Sequence, residues 1–123
     1  MFVKSMRHKI NLFIMKTKTI DVNAKHWFDN KNGNSYFAGT ITLNYGTETK
    51  KTFLMPFQYG YGSSYEHEAK AILTQFNKIS VDYGLSLYSY CLENDIIFRT
   101  SLQKNCLKRE LTQIETNYNN NIK

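Results

Sequence analysis

The chain has 123 residues and a formal net charge of +6, enough for one hydrophobic core and too few for two. Its two cysteines, Cys91 and Cys106, have neither a CxxC spacing nor a regular pairing pattern, which argues against a zinc ribbon or a disulfide framework and for two small buried thiols. No apolar run reaches the roughly 18–20 residues of a membrane span.

The charge is uneven. Residues 1–25 carry five of the six net positive charges, on Lys4, Arg7, Lys9, Lys16, Lys18 and Lys25 against Asp21. Such an end suits phosphates or an acidic surface, and it equally suits a solvated tail. Ile10–Met15 is too short for the core of a signal peptide and no small-residue cleavage site follows it, so the expected compartment is the cytoplasm. Residues 1–14 are expected to be a basic arm or an upstream extension, residues 15–118 one domain, and residues 119–123 a disordered tail.

Residues 17–28 alternate, with Ile20, Val22, Ala24 and Phe28 opposed to Thr19, Asp21, Asn23 and Lys25, the period of a half-buried strand. Asp29–Asn34 is dense in turn formers, and a second strand follows with Phe37, Gly39, Ile41, Leu43 and Tyr45 on one side. The spacing predicts a third strand over residues 50–57 with Phe53, Met55 and Phe57 on one face, and Pro56 places its end at a sheet edge or strand exit.

From Ser63 the period becomes helical: Tyr65, Ala69, Ile72, Phe76 and Ile79 share a stripe, and Ser63 with Glu66 has capping-box spacing. Leu85–Leu92 reads as a fourth strand and Ile96–Arg99 as a fifth, with a helical alternative for residues 87–98 that would leave three strands. A last helix after Thr100 has Leu107, Leu111, Ile114 and Tyr118 on one stripe, and the Asn-rich end from Asn117 onward is expected to fray. The order β-β-β-α-β-β-α predicts an α+β fold, a mainly antiparallel sheet with helices packed on one face.

Chemistry is sparse. The histidines His8, His26 and His67 stand apart from any nucleophile–base arrangement, Glu66-His67-Glu68 is the nearest approach to a metal cluster, and neither HxxH nor HExxH occurs. No catalytic residues, metal or cofactor are expected. Gly60-Tyr61-Gly62 before a helix lacks the Walker lysine and the dinucleotide fingerprint, and Glu66 and Glu68 oppose a phosphate there. Nine tyrosines, eight phenylalanines and one tryptophan supply more ring surface than a core of this size needs, and rings are favoured at recognition surfaces. Candidate partner-binding residues are Trp27, Tyr36, Tyr59, Tyr61 and Tyr65, with Lys104, Lys108 and Arg109 as a basic face of the last helix.

Two segments, Lys25-His26-Trp27-Phe28-Asp29 continuing to Gly33-Asn34-Ser35-Tyr36, and Pro56-Phe57-Gln58-Tyr59-Gly60-Tyr61-Gly62-Ser63-Ser64-Tyr65, resemble a group of small phage and prophage proteins with a W-F-D-x-x-x-G-N-x-Y hairpin and a P-F-x-Y-G-Y-G-x-x-Y motif. The likeness covers about residues 17–79 and has no counterpart for residues 85–118. It implies a mobile-element origin and, by association, an anti-CRISPR-like inhibitor acting by stoichiometric binding to a host-defence nuclease or its guide-RNA complex. The alternatives are an RNA- or single-stranded-DNA-binding module and a sponge for a nucleotide signal. An enzyme ranks last, and neither a membrane partner nor a small-molecule substrate is expected.

Overall fold

The computed structural model describes residues 16–79 and 84–121 of the chain. In chain order its elements are β1 (Thr19–Asp29), β2 (Asn34–Leu43), β3 (Lys51–Tyr59), α1 (Ser64–Gln75), α2 (Leu87–Glu93), β4 (Ile97–Gln103) and α3 (Lys108–Asn121). The basic arm expected before residue 15 and the last two residues of the expected tail lie outside the described residues.

The four strands form one sheet in the order β3-β2-β1-β4. β1 pairs antiparallel with β2, and β2 with β3, whereas β4 lies parallel to β1. The sheet is therefore mixed. The parallel pairing follows from the connection: after β3 the chain crosses one face through α1 and α2 before entering β4 at the opposite edge, and a crossover of this kind delivers a parallel strand. The fold class is α+β as expected, but the element order is β-β-β-α-α-β-α.

The strand expected over Leu85–Leu92 is a helix. Ser86 caps it by accepting a hydrogen bond from the Ser89 N–H at 3.1 Å, and Leu87 and Cys91 turn inward one helical turn apart. The helical alternative was too long, because the chain re-enters the sheet at Ile97 and continues to Gln103. The last helix consequently starts at Lys108, not just after Thr100. Its first turn is closed by Glu110, whose carboxylate accepts from the Leu107 N–H at 2.6 Å and suits the positive end of the helix. α3 runs on to Asn121, so fraying does not begin at Asn117 and the expected tail is helical through residue 121.

Helices cover both faces, and this overturns the one-face packing. On the first face Ile20, Val22, Phe37, Ile41, Leu43, Phe53 and Met55 meet Tyr65, Ala69, Ile72 and Leu73 of α1 and Leu87 and Cys91 of α2. On the second, Ala38, Cys106 and Leu111 form a smaller core against which Trp27, Tyr36, Phe57 and Ile114 pack. A sheet with apolar positions on both pleats needs a cover on both; Ala38, fully buried, marks where α3 closes on the second face. Both cysteines are free and buried.

Local devices hold this frame. Gly39 sits where a side chain could not: a Cβ there would stand 2.2 Å from the Asn23 carbonyl oxygen and 2.8 Å from Ala24 Cα. Asn44, at φ +53°, ends β2 and is nearly fully buried. Its Oδ1 accepts from the backbone N–H groups of Lys18 and Thr19 at 2.6 and 3.3 Å, and its Nδ2 donates to the Lys16 carbonyl and Thr49 Oγ1 at 3.0 and 3.1 Å. That satisfies the whole carboxamide. Tyr45, expected in β2, lies beyond this turn and is exposed. The Ser63–Glu66 capping box does not form; the Ser63 side chain makes no capping hydrogen bond.

Candidate functional site

The site starts from strand register. Trp27 of β1 lies opposite Tyr36 of β2, and Tyr36 lies opposite Tyr59 of β3, which puts three aromatic side chains on the second face, where directly opposed residues touch. Phe57 joins them through an irregularity. Gly39 pairs with Met55 and Phe37 with Gln58, so Pro56 and Phe57 together face the single residue Ala38. This is a β-bulge, at the edge strand where a proline costs no ladder bond. The extra residue reverses the pleat, which moves Phe57 off the face of Phe53 and Met55, where simple alternation places it, and onto the face of α3.

Trp27, Tyr36 and Phe57 meet as a triangle, with ring centroids 5.4, 5.2 and 6.2 Å apart. Tyr59 meets Tyr36 edge-on at 6.0 Å, and Tyr61 meets Tyr59 edge-on at 6.3 Å. The ammonium of Lys108, from the first turn of α3, lies 5.7 Å from the Trp27 centroid and 6.0 Å from that of Phe57, within range of a cation–π contact. Stacked and edge-on pairs at these separations stabilise by about 0.5–1.5 kcal/mol each beyond burial. The inner rings thus form a half-buried base for two outer rings, Tyr59 and Tyr61, which are 61% and 65% exposed.

The turn bearing Tyr61 is fixed by its own hydrogen bonds. Ser64 Oγ donates to the Tyr61 carbonyl at 2.7 Å and accepts from the Tyr61 N–H at 3.2 Å, while Gly60 N–H donates to the Ser35 carbonyl at 3.0 Å. Gly60 admits this course because any Cβ would lie 2.6 Å from the Phe37 ring. Ser64, not Ser63, is therefore the side chain that closes the Tyr-Gly turn, and it does so without engaging the helix terminus.

The structure brings together Trp27, Tyr36, Tyr59, Tyr61 and Lys108. Tyr65 departs from them. It lies in the first-face core, 7% exposed, and burial pushes its phenol pKa up against the opposing pull of a hydrogen bond with Thr100. Lys104 lies in the β4–α3 loop, so the basic helix face expected from Lys104, Lys108 and Arg109 loses its first member. Lys104 still acts near the site, since after burial it is the second cause holding the His26 pKa below the usual imidazole value. Arg109 borders a shallow hollow beside Lys25 and Glu110, which approach one another to 3.9 Å. Phe57 is the member that alternation misassigned; the signal for it was Pro56, which already marked an interruption of the ladder.

Among the described residues no group of three or more His, Cys, Asp or Glu side chains is placed to hold a metal ion. No helix of the described residues is long and apolar enough to cross a membrane. No protein-family model, curated protein or solved structure matches this chain.

Proposed function

We propose that the chain is a binding protein with no reaction of its own, which acts by stoichiometric occupancy of a partner through the ring-lined face of β1, β2 and β3. The observation that carries this reading is the ladder from Trp27 through Tyr36 and Phe57 to Tyr59 and Tyr61. Two exposed tyrosines are held by stacked rings beneath them and by a hydrogen-bonded turn. Little side-chain entropy remains to be lost when such rings dock, and tyrosine supplies apolar area with a hydroxyl at its rim.

The same geometry favours a protein surface over unpaired bases at this face. Base stacking needs free ring planes. Here the planes of the inner three rings meet one another and the Lys108 ammonium, which leaves only Tyr59 and Tyr61 as open rings and no run of successive stacking platforms. Lys108 adds positive charge at the ladder, which suits an acidic partner surface and a salt-dependent rate of encounter.

Joined to the resemblance with small phage and prophage proteins, the partner class is a host-defence nuclease or its guide-RNA complex, and the mode of action is anti-CRISPR-like inhibition in the cytoplasm of the host. The test is affinity capture of the tagged full chain from a host with active CRISPR immunity, with bound protein and RNA both identified and phage plating scored in parallel. The expected result is a nuclease complex in the wild-type capture, with protection of the phage. Absence of any nuclease complex together with absence of protection overturns the reading.

A further inference from the structure

α3 crosses the second face over β2 and β3, touches β1, and makes no packing contact with β4. Beside its C-terminal half, with residues of all four strands in its lining, lies a groove of about 870 Å³, within the size range of small-ligand sites. Its floor is one row of the sheet. Asn23 pairs with Thr40 on one side and with Ser101 on the other, so three hydrogen-bonding side chains sit side by side over roughly 10 Å. Gln103 and Lys25 occupy the next position up the same face, again as register partners.

The side chains of Asn23, Thr40, Ser101 and Gln103 make no hydrogen bond to any described residue. The side chains of Asn44 and Ser64, by contrast, are engaged by the fold itself. The wall is formed by Ile114, Asn117 and Tyr118 of α3, and Lys50 stands at the far end. Lys51 also borders the groove, but its ammonium is turned onto the Phe53 ring at 5.8 Å. Among the described residues no carboxylate lines the groove.

We infer that this groove is a second binding site, separate from the ring ladder, and that it takes a phosphate-bearing nucleotide, either free or as the end of a short single strand. Each part of the ligand has a counterpart. The carboxamides of Asn23 and Gln103 offer paired donors and acceptors that match base edges, Tyr118 with Ile114 gives a partly apolar wall for a base or sugar, and Lys50 supplies a cation for a phosphate, joined by Lys25, whose ammonium also approaches Glu110 to 3.9 Å. The site does not depend on the partner proposed for the ladder.

The experiment titrates the full-length protein by calorimetry with four probes: a cyclic dinucleotide, a linear dinucleotide, a six-residue oligouridylate and inorganic phosphate. The expected result is saturable binding of at least one nucleotide probe, tightening as salt is lowered, with phosphate alone at least ~10-fold weaker. S101W, at an exposed strand position, fills the groove and abolishes binding; N23A weakens it by at least ~5-fold; Y59A leaves it unchanged. A cyclic or linear dinucleotide binding more tightly than the hexamer identifies a free nucleotide as ligand, and the reverse order identifies a strand end. No saturable binding of any nucleotide probe overturns the inference, as does binding that survives S101W in a folded protein or is lost in Y59A.

Discussion

The Lys18 backbone N–H donates to the Asn44 carboxamide oxygen across 2.6 Å, and the same carboxamide nitrogen donates to Lys16 and Thr49. One buried side chain thereby ties the entry of β1 to the turn that leaves β2. Asn44→Ala leaves three backbone groups and a hydroxyl without that partner. The expected loss of stability is about 2–4 kcal/mol, read as a lower urea midpoint with an unchanged slope. Asn44→Asp is expected to lose as much, because a buried carboxylate would face the Lys16 carbonyl in place of a donor.

Two glycines separate backbone crowding from side-chain crowding. A methyl group at Gly39 meets the backbone of Asn23 and Ala24, whereas at Gly60 it meets the Phe37 ring and the Ser64 side chain. Side chains give way more readily than a paired strand. Gly60→Ala should therefore fold with a loss of about 1–3 kcal/mol, and Gly39→Ala should lose more or fail to accumulate as a folded species. Thermal melts of the two variants check the order.

His26 provides a pH dependence whose sign is fixed by its surroundings. Burial first, and Lys104 second, hold its folded pKa below the ordinary value. Below about pH 6.5 the unfolded chain binds a proton that the folded chain resists, so stability falls as pH drops through the unfolded value and is recovered above it. His26→Asn should flatten that part of the profile, and Lys104→Met should soften it. Denaturant midpoints between pH 5 and 8 measure both.

Cys91 is 1% exposed and its thiol is pushed up to about 11 by burial. A thiol reagent at pH 8 should modify it only as fast as the chain opens. Above the unfolded thiol pKa the unfolded chain loses a proton that the folded chain keeps, so stability from this group declines as pH rises from about 9 toward 11. The Cys91→Ala protein should lack that decline.

The first hairpin and the inward positions Tyr65, Ala69 and Ile72 of α1 and Leu111 and Ile114 of α3 follow from spacing, but the stripes overran the helices: Phe76 and Ile79 lie beyond the end of α1 at Gln75, and Leu107 precedes α3 and is exposed. Residues 87–92 did not resolve, since Leu87 and Cys91 lie four apart and four satisfies both a strand and a helix; Ser86, three residues before Ser89, was the discriminating cap signal. Composition and resemblance pointed to Trp27, Tyr36, Tyr59 and Tyr61, and the register brings those four together. Phe57 and Tyr65 exchanged places. The bulge at Pro56 turned one ring out to the ladder, and the helical stripe carried the other into the core. Which face α3 covers depends on the parallel placement of β4, a long-range pairing that no local spacing encodes, and the groove beside α3 was hidden for the same reason.

The measurement that bears most directly on the ring ladder as the partner surface is capture from a CRISPR-active host with three baits in parallel: wild type, Y59A/Y61A and S101W. The outer rings are exposed, so the double variant should keep its fold and melting temperature. Two truncated hot-spot tyrosines remove about 2 kcal/mol or more of binding, and the account predicts that Y59A/Y61A loses the captured complex while S101W retains it. Equal recovery by wild type and the folded Y59A/Y61A variant would contradict it.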